Sequence, residues 1–386
     1  MRLTIACWCL VFITHASSIF ASASAREQSG ELRRDLAVAA SGREGGQGAA
    51  TSPAQPAKPA PPAPAIRRWL DVQSVHVGSR FRWFENSNER LISSHLQWQS
   101  QLRGRFLFDR AGRYNVGVLA STGATFPSSW NNTGGGLGDF QGPFNVKQLF
   151  FGAEPVRGLQ FEVGGLYLNR GEMAENITYD NDAFIVGERV TYRPAKARIT
   201  QVSFTGGFFG DYTEVNVFKR VERMDQWNYG QALVGFTLHP RVSASVDYTY
   251  EDGRDIFREG VNVRMPSSVK LLTQLKFEAY QRSADDDGAG FNVSGDLRYK
   301  RLSVTVGVMS VDQHYGSRLF QTYNADRYET GTRQYTISAY QITPELAFTV
   351  FQTEAFATDF PINIQHRVDL MLLFNPTAWL KRKGVF

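Results

Sequence analysis

Over most of the chain after about residue 66, apolar and polar side chains alternate with a period of two. Between residues 96 and 108, for example, Leu102 and Phe106 occupy one set of alternate positions, and Arg103 and Arg105 occupy the other. Successive side chains of a β-strand point to opposite faces, so this pattern is typical of strands with one apolar and one polar face. The sequence therefore predicts an all-β fold.

The connections between these segments alternate in length. Short turns, such as residues 109–113 and 239–241, are followed by longer loops, such as 125–144 and 313–332. Outer-membrane barrels have this arrangement, with short turns at one end and long loops at the other. We therefore predict a transmembrane antiparallel β-barrel of about 16 strands, with 14 or 18 as the alternatives. The predicted strands lie near 72–84, 92–108, 114–124, 145–154, 159–169, 183–193, 199–209, 228–238, 242–251, 256–264, 269–281, 289–299, 302–312, 333–341, 345–355 and 363–374.

Two predicted strands carry a carboxylate on their apolar face. Glu259 shares a face with Phe257 and Val261, which makes the strand at 256–264 the weakest of the set. Glu188 falls among the apolar positions of the strand at 183–193. A carboxylate facing lipid is costly, so we expect either a β-bulge at Glu188 or its burial against a neighbouring subunit.

The first 65 residues have a different composition from the rest. Residues 1–25 have a basic start, an apolar stretch and the small-residue sequence Ala23-Ser24-Ala25, a pattern that predicts a secretory signal peptide. Residues 26–65 are rich in Ala, Gly, Ser and Pro, so we expect a disordered periplasmic linker. Both cysteines, Cys7 and Cys9, lie in the predicted signal, so the mature chain would have no thiol chemistry.

The overall composition excludes several classes of protein. Mean hydropathy is −0.30, and no apolar run outside the N-terminus is long enough for a membrane helix. The 42 basic residues are nearly balanced by 37 acidic ones, an excess too small to predict nucleic-acid binding. The residues supply no pattern for a cofactor or a metal site. Charge must therefore be interpreted by position on the strands.

In architecture, residues 66–374 resemble the bacterial porins, which are diffusion channels of the outer membrane. The resemblance lies in the predicted signal, the cysteine-free mature chain, the aromatic-rich alternating strands and the aromatic end of the last strand at Phe374. It implies outer-membrane localisation with both termini in the periplasm, and contact with lipid and lipopolysaccharide. It also implies recognition of Phe374 or Phe386 by the barrel-assembly machinery, and a possible homotrimer. Residues 375–386 are expected to form a short tail.

A barrel of this size has an aqueous lumen, so inward side chains would determine which solutes pass. The first two strands and the last each place arginines on the polar face, and we expect them to lie together on one wall. The predicted pore-lining residues are Arg80, Arg82, Arg103, Arg105, Arg189, Lys270, Lys276, Arg298 and Arg367. The lumen would favour small hydrophilic solutes, preferably anions.

The resemblance to porins also implies a constriction. In general porins the third external loop folds into the lumen and carries carboxylates opposite arginines. The corresponding segment here is 170–182, and its candidate constriction residues are Glu172, Glu175, Asp180 and Asp182.

The residues also bear on two other functions of outer-membrane barrels. An anionic oligosaccharide or polysaccharide channel would need a continuous arginine track, but inward basic residues here are interleaved with acidic and amide residues. A barrel enzyme, such as a lipase, would need a nucleophile or a metal motif, and Gly-x-Ser-x-Gly and His-Glu-x-x-His do not occur. We therefore predict a channel with no catalytic residues.

Overall fold

The structure is a computed structural model, which describes residues 69–385 except 87, 89, 125–127, 174–183, 196–197, 211–213, 252, 284–287, 313–330 and 358–364. The predicted signal and linker lie outside the described residues. Seventeen strands are present in this part of the chain. They are Leu70–Glu85 (β1), Leu91–Leu107 (β2), Tyr114–Thr122 (β3), Asn131–Gly136 (β4), Phe144–Val156 (β5), Leu159–Tyr167 (β6), Phe184–Tyr192 (β7), Ile199–Phe208 (β8), Tyr229–His239 (β9), Val242–Glu251 (β10), Arg254–Arg264 (β11), Leu272–Ser283 (β12), Gly288–Tyr299 (β13), Leu302–Val311 (β14), Gly331–Gln341 (β15), Leu346–Ala357 (β16) and His366–Phe374 (β17).

Sixteen of these strands form a closed antiparallel barrel, which confirms the predicted fold and strand number. Each strand pairs with the next along the wall, and β1 pairs with both β2 and β17. At the closing pair, Arg82 lies opposite Asp369 and Val77 lies opposite Phe374. The first and last strands thus complete the sheet, and none of the sixteen is left as an open edge.

The remaining strand, β4, belongs to the connection between β3 and β5. β3 is short and pairs with only the C-terminal part of β2, from Gln101 to Leu107. β4 pairs with the part of β2 that precedes it, where Gln97 lies opposite Asn132. This loop strand extends the wall beyond the end of β3.

In the part of the chain that the structure describes, two short helices lie outside the wall strands. Val217–Val221 (α1) lies between β8 and β9, and the side chain of Asn216 caps its first turn. Thr377–Arg382 (α2) follows β17 within the expected tail. The hydroxyl of Thr377 accepts a hydrogen bond from the backbone N–H of Val75 at 2.8 Å, which attaches this helix to β1.

Burial in this barrel is the reverse of that in a soluble protein. Large apolar side chains such as Phe81, Phe257 and Leu372 are exposed on the outer face, whereas Arg258 and Arg367 are among the largest fully buried side chains. The alternation along each strand explains this result, because apolar positions face outward and charged positions face inward. The polar face of the sequence pattern is therefore the inner wall.

The strand bounds agree with the prediction to within a few residues, and β11, the weakest, is present. Glu259 lies exposed on the outer face of β11. Of the two alternatives for Glu188, the bulge is wrong, because β7 pairs with β6 and β8 without a shift of register there, and burial against a neighbouring subunit stays a prediction. Glu188 instead points outward and is exposed. No helix among the described residues is long and apolar enough to cross a membrane.

Candidate pore wall

The inward faces of β1 and β17 bring four charged side chains together, and we call this group the closing wall. Arg80 and Arg82 come from β1, and Arg367 and Asp369 come from β17. Nη1 of Arg80 is 3.5 Å from Asp369 Oδ2, and Nε of Arg82 is 3.4 Å from Asp369 Oδ1. Nε of Arg367 donates to Asp369 Oδ1 at 3.1 Å. Three guanidinium groups share one carboxylate, so the wall carries an excess of positive charge.

Several neighbouring groups fix the position of Arg80. Its Nε donates to Oε1 of Gln97 at 2.8 Å. Nε2 of Gln97 in turn donates to Oδ1 of Asn132 on β4, also at 2.8 Å. The guanidinium carbon of Arg80 lies 4.3 Å from the centre of the Trp130 ring. A cation stacked on an aromatic face and held by a planar amide has little rotational freedom. The loop containing β4 thus orients a charge on the inner wall.

A second charged group lies on the inward faces of β10 and β11, and we call it the opposite wall. Its members are Asp247, Glu251, Arg254 and Arg258, all buried. Asp247 Oδ1 accepts hydrogen bonds from Nη2 of Arg258 at 2.8 Å and from the hydroxyl of Thr249 at 2.7 Å. Two carboxylates accompany two guanidinium groups here, so this wall is close to neutral.

The connection after β6 passes along this opposite wall. The backbone N–H of Glu172 donates to Oγ of Ser245 on β10 at 2.8 Å, and Nδ2 of Asn262 on β11 donates to Glu172 Oε2 at 3.3 Å. Nε2 of Gln231 on β9 donates to the backbone oxygen of Asn169 at 2.7 Å. All three partners belong to inward positions. The start of the third long loop therefore lies inside the barrel, two to four strands beyond its own hairpin of β6 and β7.

The strand order places the two walls across the lumen from each other. β10 is eight places from β1 in the ring of sixteen, which is half of the circumference. Glu172 is consequently held on the side that faces the arginine-rich wall. Arg170 lies in the same turn, so this side is mixed in charge rather than purely acidic.

Two solved structures resemble this barrel. The OmpF porin of Salmonella typhi, in a complex with daunomycin, matches with a TM-score of 0.52 at 9% identity, covering 79% of this chain and 97% of that one. A mutant of the Rh. blastica porin matches with a TM-score of 0.48 at 12% identity, covering 78% and 99%. The chain folds as a porin-like β-barrel. No protein-family model and no curated protein matches its sequence.

The other predicted pore-lining residues occupy several places in the porin-like barrel. Arg103 and Arg105 are half-buried on β2, and the guanidinium of Arg103 lies 4.3 Å from the Tyr167 ring centre. Nη1 of Arg189 is 3.4 Å from Glu162, and Nζ of Lys276 is 3.6 Å from Asp296. These two cations are paired with carboxylates on adjacent strands.

Two of the predicted residues, Arg298 and Lys270, lie at or near the turn end. Arg298 lies on β13 at an inward position near the turn end. Lys270 was expected on a strand, but β12 begins at Leu272, so Lys270 lies exposed in the turn before it. Its placement on the wall was wrong because Val269 and Leu271 continue the alternation into the turn. Glu175, Asp180 and Asp182 lie outside the described residues.

The inner wall of the porin-like barrel also contains arginines that are not among the predicted pore-lining residues. Arg254, Arg258, Arg282 and Arg333 are all buried and face inward. The alternation contained a signal for Arg258, because it follows Phe257 on the opposite face of the strand. Arg282 and Arg333 lie at or just beyond the ends of predicted strands, where the facing direction is hardest to assign.

Proposed function

We propose that this protein is an outer-membrane channel for passive diffusion of small hydrophilic solutes, with a preference for anions. The observation that carries the proposal is the closing wall, where Arg80, Arg82 and Arg367 surround the single carboxylate of Asp369. A porin-like barrel of sixteen strands is wide enough for an aqueous lumen. Inward charges in excess of one sign raise the local concentration of the opposite ion. Both termini would face the periplasm, since β1 begins at Leu70 and β17 ends at Phe374, both at the turn end of the barrel.

The third long loop supports a constriction as part of this proposal. Its first residues are attached to the opposite wall through Ser245 and Asn262, so the loop starts on a path across the lumen. Solutes would then pass between the closing wall and this loop. The mixed charge of the opposite wall favours a general diffusion channel over a channel with a continuous arginine track for an anionic polysaccharide.

Planar-bilayer recordings of the refolded barrel test the proposal. A salt gradient should give a reversal potential that indicates anion preference, and Arg80→Gln and Arg82→Gln should each move it toward the cation value. Arg157→Gln is a matched control, because it removes the same charge from an exposed turn outside the lumen. If all three variants shift the potential equally, or if the wild type prefers cations, the closing wall is not the selectivity element. A barrel that conducts no ions would refute the channel itself.

A further inference from the structure

The turn end of the barrel carries many exposed basic side chains. Six of the seven turns between strands at this end have at least one, in the turn itself or at the adjoining strand end, and the exception is the turn between β15 and β16. One representative from each of the six turns is Arg113, Arg157, Arg193, Arg241, Arg264 and Arg301. The helix α2 adds Lys381 and Arg382 at the same end, because it follows β17 directly. Positive charge is therefore distributed around the circumference.

The carboxylates described at this end are fewer and are already engaged. Asp109 lies 3.6 Å from Arg113, and Asp71 lies 3.6 Å from Lys381. Glu345 accepts from Arg382 at 2.7 Å. Glu154 accepts from the backbone N–H of Gly158 at 2.7 Å. These contacts neutralise a minority of the basic side chains. The end as a whole keeps a positive excess.

These charges lie at the edge of the outer apolar surface. Exposed Val156 directly precedes Arg157, and exposed Tyr299 directly precedes Lys300, whose Nζ lies 5.2 Å from the Tyr299 ring centre. In α2, exposed Trp379 stands two residues before Lys381. Aromatic residues next to basic ones mark the boundary between hydrocarbon and headgroups. The basic side chains are thus placed at the height of lipid headgroups rather than out in the solvent.

We infer that the turn end of the barrel binds anionic phospholipid headgroups of the leaflet that it faces. A lipid annulus surrounds a barrel on every side, which matches charges present in six turns. A single acidic protein partner would instead need its charges on one side. Guanidinium and ammonium groups donate to phosphate in charge-assisted hydrogen bonds, and each basic residue near an anionic surface strengthens the attraction.

Lipid retention tests this inference directly. The full chain would be placed in nanodiscs with equal amounts of phosphatidylglycerol and phosphatidylcholine, then extracted gently, and the lipids retained would be counted by native mass spectrometry. We expect the wild type to retain phosphatidylglycerol preferentially. The double variant Arg157→Gln/Arg241→Gln should reduce that preference by up to about five-fold for each charge lost at a contacted headgroup.

Two controls separate the charge effect from folding and from nonspecific attraction. Arg157→Lys/Arg241→Lys keeps the charge and should keep the preference. Arg90→Gln/Lys219→Gln removes two exposed charges away from the turn end, one between β1 and β2 and one in α1, and should leave the phosphatidylglycerol preference unchanged. An equal phosphatidylglycerol preference in the turn-end variant would overturn the inference. Binding of soluble polyglutamate would be measured in parallel. If the turn-end variant lost polyglutamate binding but retained lipid as the wild type does, the inference would also be overturned, because that result would point to an acidic protein partner. Neither outcome depends on whether the barrel conducts.

Discussion

The closing wall and the opposite wall are each built around one buried aspartate, yet they differ in charge. Asp369 receives three guanidinium groups, whereas Asp247 receives the guanidinium of Arg258 together with the hydroxyl of Thr249 and the amide of Gln231. The closing wall has three arginines and the opposite wall has two, so the number of arginines does not by itself account for the difference in local field. The ratio of guanidinium groups to carboxylates does.

The largest expected effect comes from removing the shared carboxylate. Asp369→Asn should lower the free energy of unfolding by about 3 kcal/mol, because buried guanidinium groups lose their common counterion. Asp247→Asn should cost less, since fewer cations lose a partner there. Urea titration of the folded and unfolded bands on a gel measures both. Equal losses for the two variants would show that the walls do not differ in the way that their contacts indicate.

In channels that still fold, the same pair of variants should alter ion selectivity. Each substitution removes one negative charge from the lumen, so anion preference should rise in both. The rise should be greater for Asp369→Asn, because the arginines that it releases are more numerous. Reversal potentials under a salt gradient give the comparison, and a greater rise for Asp247→Asn would reverse the ranking.

A smaller effect is expected from the aromatic ring that covers Arg80. Trp130→Ala removes a cation–π contact worth about 1 kcal/mol, so Arg80 should become more mobile and the anion preference should weaken without being lost. Trp130→Phe keeps an aromatic face and should restore most of it. If Trp130→Ala matches Arg80→Gln in effect, the ring has a role beyond orienting the guanidinium.

The smallest effect concerns a carboxylate outside both walls. The backbone N–H of Tyr114 donates to Asp109 at 3.0 Å and lowers the pKa of this carboxyl group below its ordinary value of 3.8. The stabilisation is therefore present above about pH 4 and is lost as pH falls through the lowered pKa. Asp109→Asn should remove this acid-dependent component of stability and leave selectivity unchanged. A shift of reversal potential in this variant would mean that turn charges also act on permeation.

The fold could be predicted because the alternation of apolar and polar residues recurs along most of the sixteen strands. β4 could not, because Asn131-Asn-Thr-Gly-Gly-Gly136 has no apolar face, and it is a strand only through pairing with β2. The helix α1 has five residues, too few for a recognisable helical period. Both elements form because of their tertiary contacts, which the local sequence pattern does not indicate.

The site was predictable to the same extent as the strands that carry it. The inward positions of the strands predicted Arg80, Arg82 and Arg367 as wall residues. The pairing of the first strand with the last predicted that they lie close together. Trp130 lies in a loop, where sequence gives no facing direction, so its contact with Arg80 could not be foreseen. The path of residues 169–173 along β9 to β11 depends on hydrogen bonds between segments distant in the chain.

The shared ion cluster also bears on how the barrel is assembled. Arg80 and Asp369 are 289 residues apart, so the partners meet only when the final strand joins the first. Since side chains alternate in direction, closure one residue out of register would turn Asp369 toward lipid and leave the arginines of β1 without it. The ion cluster thus stabilises the native register at the last step of folding. The charged wall forms in the same step in which the barrel closes.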